Sequence, residues 1–184
     1  MERDASTLCL ACGLCCSGSL FPMAQIDPGN DDERLESGFD TVEHDGKPFF
    51  RLGCHHLEGA HCRIYGEGRP RVCSGFNCAL VLAYMSGRME QEQAMELIGT
   101  AVQMDRAVRQ ALGTHSVSVT RNFEAVEDAL QAKLAAENDP EVKRTIGQVL
   151  LDIIAFRMFA KRHFIPGSDD SPGMQVAPHG VTGS

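Results

Sequence analysis

All eight cysteines of this 184-residue chain lie between positions 9 and 78, and the remaining half contains none. The first four form a compact motif, Cys9-x2-Cys12-x2-Cys15-Cys16. The other four are more widely spaced and are Cys54, Cys62, Cys73 and Cys78. Three explanations account for so many thiols in one segment: a disulfide framework, a redox switch or a metal site.

The cellular compartment of the protein discriminates between these three explanations, because it sets whether thiols are oxidised or reduced. Residues 1–7 contain no apolar stretch of the kind found in a secretory signal, and no run approaches the ~18 apolar residues of a membrane span. We therefore expect a cytoplasmic protein. Thiols stay unpaired in a reducing cytosol unless a metal holds them as thiolates, so the sequence favours metal ligation. Disulfides remain the alternative if the chain is a mature fragment without its signal.

The adjacent pair Cys15 and Cys16 restricts how the sulfurs are used. Consecutive Cα atoms are about 3.8 Å apart, whereas ordinary disulfides begin near 4.4 Å, so this pair would bridge only with strain. In an extended segment the two side chains would point to opposite sides. The pair would then supply one sulfur to each of two sites, or two corners of one cluster. Four cysteines close a tetrahedral zinc site or anchor an iron–sulfur cluster, and eight make two such sets.

Two spacing patterns leave the metal open. Cys9/Cys12 with Cys73/Cys78 would form the two knuckles that are typical of structural zinc. The run Cys9, Cys12, Cys15 instead matches the first three ligands of bacterial ferredoxins, although their usual fourth Cys-Pro is missing. The expected cofactor is therefore either zinc or an iron–sulfur cluster, because ligand type alone does not separate tetrahedral sulfur sites.

Basic residues are concentrated near the cysteines, against a formal net charge of -8 for the whole chain. Guanidinium groups would stabilise a negatively charged thiolate site through hydrogen bonds, and an ordinary solvated surface is the alternative. His55, His56 and His61 are interpreted as polar neighbours, since eight thiols are available as ligands. The basic residues are Lys47, Arg51, Arg63, Arg69 and Arg71.

Three segments of the chain resemble the YkgJ-type cysteine-cluster family, CxxCxxCC, over about the first 80 residues. They are Cys9-x2-Cys12-Gly13-x-Cys15-Cys16, Gly53-Cys54-x2-Leu57, and Cys62-x-Ile64-Tyr65-x3-Arg69-Pro70-x2-Cys73-x2-Phe76-x-Cys78. The resemblance implies a zinc- or iron-chelating domain with one or two metal sites. The ligands that it implies are Cys9, Cys12, Cys15, Cys16, Cys54, Cys62, Cys73 and Cys78. Flagellin lysine methylase carries a related cluster, which implies an alternative function as an iron–sulfur enzyme that modifies a protein substrate.

The apolar pattern predicts helices after position 78. Apolar residues recur at gaps of three and four over 94–112, 119–134 and 146–159, and Asp139-Pro140 is a helix start signal. A short polar helix is expected over 31–37. Glu58-Gly59 predicts a tight turn that would bring Cys54 and Cys62 together, and Arg69-Pro70 predicts an extended approach to Cys73. Cys78 is expected on the first turn of a helix, whose amide dipoles favour a thiolate. Before Cys54, Asp45-Gly46 predicts a β-hairpin between 41–44 and 47–50, with Pro48 keeping the second strand at an edge.

These patterns predict a mainly α fold with a small irregular or β cysteine-rich N-terminal half, and α+β is the alternative. We expect a metal-binding module at 1–80, a helical region packed on it at 81–164, and a disordered tail rich in Gly, Pro and Ser at 165–184.

Charge and motifs limit the other functions. A sequence pI near 5.3 argues against binding of nucleic acid or of an anionic membrane surface. The helical half is predicted to bury a shared core and to offer a surface to a protein partner. The sequence lacks G-x-S-x-G, P-loop and H-E-x-x-H motifs, which are typical of several enzyme classes. It leaves enzymatic activity of another kind open. A solvated helix face is expected for the acidic residues Glu90, Glu92, Glu96 and Asp105.

Overall fold

Short elements make up the N-terminal half of the protein, and long helices make up the rest. The computed structural model describes residues 3–31, 38–66, 68–114 and 123–166. The helices are α1 (Ser6–Cys12), α2 (Arg71–Gly75), α3 (Ala79–Met85), α4 (Gln91–Thr114), α5 (Phe123–Ala136) and α6 (Pro140–His163). The strands are β1 (Met23–Gln25), β2 (Thr41–His44), β3 (Lys47–Arg51), β4 (Leu57–Glu58) and β5 (His61–Cys62). The predicted fold class is confirmed, because the chain is about 54% helical and 11% strand.

The predicted hairpin forms the middle of a small sheet. Strands β2 and β3 are joined by a two-residue turn at 45–46, whose φ angles of 50° and 71° are those that a tight hairpin turn requires. Strand β1 pairs with the other side of β3, so the order is β1-β3-β2 and the expected edge position of Pro48 was wrong. Pro48 is tolerated because it lies one position beyond the last pair, Gln25 with Phe49. Its carbonyl still accepts the Ile26 N–H at 2.9 Å.

The three long helices form where the apolar periodicity predicts them. Helix α6 begins at the predicted signal, with the Asp139 carboxylate accepting the N–H groups of Glu141 at 2.8 Å and Val142 at 3.4 Å. Helix α4 packs against α6, and α6 also packs against α5. None of the helices in the described part of the chain combines the length and apolarity that crossing a membrane requires.

Two buried clusters organise the packing. The sheet core lies between the β1-β3-β2 sheet and α2. The helical core joins α4, α5 and α6 to Leu8 and Leu14, which come from the cysteine-rich segment. Because Leu8 lies on α1 and is 1% exposed, this first helix is fixed to the long helices. The sheet core consists of Phe21, Ala24, Ile26, Phe39, Phe50, Leu52 and Val72.

Some sequence predictions fall on residues that the structure leaves undescribed. Positions 32–37 of the expected polar helix, Val119, and positions 167–184 of the expected tail lie outside the described residues. Ile165, the first residue of that expected tail, packs against the sheet core instead.

Asp31, which was expected to begin the polar helix, has a different role. It is 0% exposed, and its carboxylate accepts the N–H groups of Asp27 at 3.0 Å and Arg71 at 2.8 Å. These bonds fix the start of α2 against the turn that follows β1.

Leucine truncation on the two faces of the helical half tests this packing. Leu130→Ala is expected to lower the free energy of unfolding by about 2–5 kcal/mol, because Leu130 is fully buried in the helical core. The matched change Leu151→Ala, at a residue that is 61% exposed, is expected to stay within about 0.5 kcal/mol. Urea unfolding followed by circular dichroism measures both. Equal losses in the two variants would contradict the described core.

Candidate metal centre

The eight cysteines line one cavity of about 100 Å³ between the two cores. All eight are free thiols. Apolar side chains of both cores complete the wall, for example Leu80 from the helical core and Phe50 from the sheet core. Within the described residues no three Cys, His, Asp or Glu donors are already arranged to hold an ion. The sulfurs share a cavity, and they would have to close around an ion to coordinate it.

Helix α1 supplies Cys9 and Cys12, which lie one turn apart. The helix ends at Gly13, whose φ of 64° is left-handed and whose N–H donates to the Cys9 carbonyl at 3.1 Å. A Cβ atom at position 13 would lie 2.9 Å from the Cα of Ala60. Glycine is therefore required both by the conformation and by the close approach of α1 to the β4–β5 turn.

Cys15 and Cys16 lie in a tight turn, so the geometry of an extended segment does not apply to this pair. The Ser17 N–H donates to the Gly13 carbonyl at 2.9 Å, which curls the chain directly after α1. The Cys16 carbonyl accepts the Cys54 N–H at 2.8 Å. The backbone of the first motif is thus held against the segment that follows the sheet.

A small hairpin places Cys54 and Cys62 near each other. The Leu57 N–H donates to the Cys54 carbonyl at 3.1 Å, and Leu57 is also the strand partner of Cys62 in the β4–β5 pair. The turn at 59–60 connects the two strands, with Gly59 at a φ of 61°. This is the turn that the Glu58-Gly59 sequence predicted.

The last two cysteines occupy short helices. Pro70 is extended, as expected, but Cys73 lies within α2. Cys78 is the N-cap residue of α3, one position before the expected first turn. Burial raises the pKa of Cys78, and the nearby backbone amides of Val81 and Leu80 act in the opposite direction. The amides at this helix start were expected to favour a thiolate, and burial has the larger effect.

Burial dominates the electrostatics of the cavity. It raises the pKa of Cys12 and of Cys16 to about 12 in each case. It also raises the pKa of Cys15 and Cys73 well above the ordinary thiol value. These four thiols are therefore protonated and neutral at neutral pH in the metal-free protein, and an ion that binds them must displace protons.

Arg69 is the one cationic side chain in the cavity wall, as far as the described residues show. Its guanidinium carbon lies 4.0 Å from the centroid of the Tyr65 ring, and both residues line the wall. Burial raises the pKa of Cys9, whereas Arg69 and the Tyr65 hydroxyl act to lower it. Arg69 acts in the same direction on Cys16 and Cys73. The hypothesis that a guanidinium supports the thiolates therefore applies to Arg69.

The other arginines of that group form ion pairs at the surface. Their partners are acidic residues at distances of 3.3 Å, and all three guanidinium groups are about half exposed or more. For these arginines the alternative of a solvated surface is the better description. The pairs are Arg51–Asp40, Arg63–Glu58 and Arg71–Asp27.

The three histidines near the cysteines lie outside the wall of the cavity as the structure describes it. The rings of His55 and His56 are 3.9 Å apart, and both contact Phe39 of the sheet core. His55 and His56 therefore pack beside the sheet core.

One buried polar network was missed by the sequence analysis. Asp105 was expected on a solvated face, but its side chain is only 13% exposed. It accepts hydrogen bonds from Ser19 and from Arg109 Nε at 3.0 Å, and Arg109 also donates to the Ser17 carbonyl at 3.3 Å. The network attaches the Cys15–Cys16 turn to α4. The i, i+4 spacing of Asp105 and Arg109 was the available signal.

A family model described as "Putative zinc- or iron-chelating domain", CxxCxxCC, matches residues 8–104, which is more than half of the chain. The chain belongs to this family. All eight cysteines of the CxxCxxCC protein fall inside the match, which continues into α4, further than the 80 residues expected from the motifs alone. No curated protein and no solved structure matches the chain.

The raised thiol pKa values predict how the stability of the metal-free protein depends on pH. In the folded state the pKa of the Cys12 thiol is about 12, against an ordinary value of 9.0, so this thiol keeps its proton to a higher pH than it does in the unfolded chain. Its contribution to stability is present below about pH 9 and is lost as the pH rises towards 12. Urea midpoints of the chelator-treated, reduced protein should fall over this range, and fall less steeply in Cys12→Ser. Parallel curves for the two proteins would contradict this prediction.

Proposed function

We propose that the protein chelates zinc or iron through its eight cysteines. The observation that carries this proposal is that sulfurs from separate parts of the chain line a single cavity. They come from α1 and the turn after it, from Cys54 three positions before β4, from β5, from α2, and from the start of α3. Membership of the CxxCxxCC family supports the same class of function.

The chemistry of the cavity suits a thiophilic ion. Soft sulfur donors in an apolar wall select zinc, iron–sulfur clusters or other thiophilic metals over oxygen-loving cations such as Mg²⁺ and Ca²⁺. Arg69 supplies a positive charge beside the thiolates, which carry excess negative charge when four of them surround a divalent ion. Both zinc and an iron–sulfur cluster agree with this donor set.

The ion would act chiefly as a cross-link. Among the described residues the sheet core contains seven buried side chains, and the hairpin β4–β5 has two residues in each strand, so these parts have little apolar surface to stabilise them. A metal that joins them would contribute directly to the free energy of folding. No observation on the described residues favours the alternative of an iron–sulfur enzyme that modifies a protein substrate.

Metal content and its effect on stability test the proposal together. Protein purified without oxygen is expected to contain zinc or iron by elemental analysis, and removal of the metal is expected to lower the thermal midpoint. In Cys15→Ser the drop on metal removal should be smaller, and the metal-free form of the same variant controls for any direct effect of the substitution. Unchanged circular dichroism and an unchanged midpoint after complete metal removal would contradict the proposal.

A further inference from the structure

The two walls of the cavity hold different cysteines. Cys12 and Cys78 pack against the helical core, whereas Cys15, Cys54 and Cys73 pack against the sheet core. Packing on a common core therefore groups Cys12 with Cys78, and Cys54 with Cys73.

Backbone connections extend the group on the sheet side. The Cys16 carbonyl is bonded to the Cys54 N–H, the Cys54 carbonyl is bonded to the Leu57 N–H, and Leu57 is paired with Cys62. Three cysteines are therefore linked through a short hydrogen-bonded path. On the helical side, Cys9 and Cys12 are adjacent on one face of α1 because they are three residues apart.

Charge effects among the sulfurs follow the same division. Burial has the largest effect on the pKa of Cys15. The thiolates that raise it most are those of Cys78 and Cys12. For Cys16 they are Cys62 and Cys54. The adjacent cysteines of the motif thus have different principal neighbours.

The same pattern holds for Cys73. Burial raises its pKa most, and the thiolates that add to the effect are those of Cys16, Cys54 and Cys62. Cys73 therefore belongs with the hairpin cysteines, although it is only five positions from Cys78.

We propose that the cavity holds two separate four-sulfur sites, with Cys15 and Cys16 as the point where they meet. This inference rests on the proposed function and assigns each sulfur to one ion or cluster. The first site consists of Cys9, Cys12, Cys15 and Cys78. The second site consists of Cys16, Cys54, Cys62 and Cys73.

The position of Cys15 is consistent with a meeting point. Its side chain packs against the sheet core, while its principal thiolate neighbours, Cys78 and Cys12, belong to the helical side. Arg69 likewise acts on Cys9 of the first site and on Cys16 and Cys73 of the second. One guanidinium therefore serves the charge of both sites.

This division differs from the pairing of two zinc knuckles, Cys9/Cys12 with Cys73/Cys78. The two arrangements make opposite predictions for one double variant, Cys73→Ser/Cys78→Ser. In the proposed division this variant damages both sites, whereas in the knuckle pairing it damages one. Cys54→Ser/Cys73→Ser is the matched control for the proposed division, because both of its changes fall in the second site.

Anaerobic titration of the reduced, full-length chain with Co²⁺ alone measures the number of tetrahedral thiolate sites, since this ion reports its ligands by visible absorption. The wild type is expected to bind two equivalents with thiolate charge-transfer bands. The control double variant should retain one equivalent with the wild-type spectrum per ion, and Cys73→Ser/Cys78→Ser should retain none with that spectrum. Retention of one full-thiolate equivalent by Cys73→Ser/Cys78→Ser would overturn the division.

A second measurement needs no variant and so does not depend on folding of the substituted chains. Wild-type protein with one equivalent of zinc is alkylated, and intact-mass and peptide analysis identify which cysteines are protected together in the one-zinc species. Four protected cysteines from a single proposed site support the division, and joint protection of Cys73 with Cys78 overturns it. If the wild type binds none of Co²⁺, zinc and iron, the proposed function itself fails. If it binds one equivalent only, with the other four cysteines reactive throughout, chelation stands and the second site is refuted.

Discussion

The convergence of eight cysteines on one cavity between two small cores is the constraint on which the rest of the structure depends. Burial raises the pKa of Cys12 and of Cys16 to about 12. A neutral thiol is stable in such a buried site, whereas a thiolate there needs a compensating positive charge nearby. A bound cation supplies that charge, and Arg69 supplies a smaller share of it. The cavity therefore suits an ion that binds sulfur strongly enough to displace protons at neutral pH.

Each of the two cores positions a different group of cysteines. The helical core fixes α1 and the start of α3 through Leu8 and Leu80, which are each 1% exposed. The smaller sheet core contacts Cys54, which follows the β2–β3 hairpin, Cys73 of α2, and Cys15. Asp105, Arg109 and Ser19 then fasten the turn that carries Cys15 and Cys16 to α4. The family match agrees with this dependence, since it runs past the last cysteine and into α4.

The sequence predicted much of this arrangement and missed definite parts of it. The β-hairpin and the three long helices were predictable because their turn residues and apolar periodicity are local signals. The short helices α1 and α2 carry no such signal, since at seven and five residues they are stabilised by their packing and not by propensity. The role of Asp105 was missed because its partner Ser19 lies 86 positions away in the chain. Strand β1 has three residues and exists only through its pairing with β3.

Sulfur ligation of an ion inside the cavity is the central claim, and X-ray absorption at the metal edge of the loaded protein tests it most directly. The account predicts a first coordination shell of about four sulfur atoms per ion, at about 2.3 Å if the ion is zinc. A shell made mainly of nitrogen or oxygen atoms would contradict it, because the ion would then be bound by groups other than the cysteines that the fold gathers.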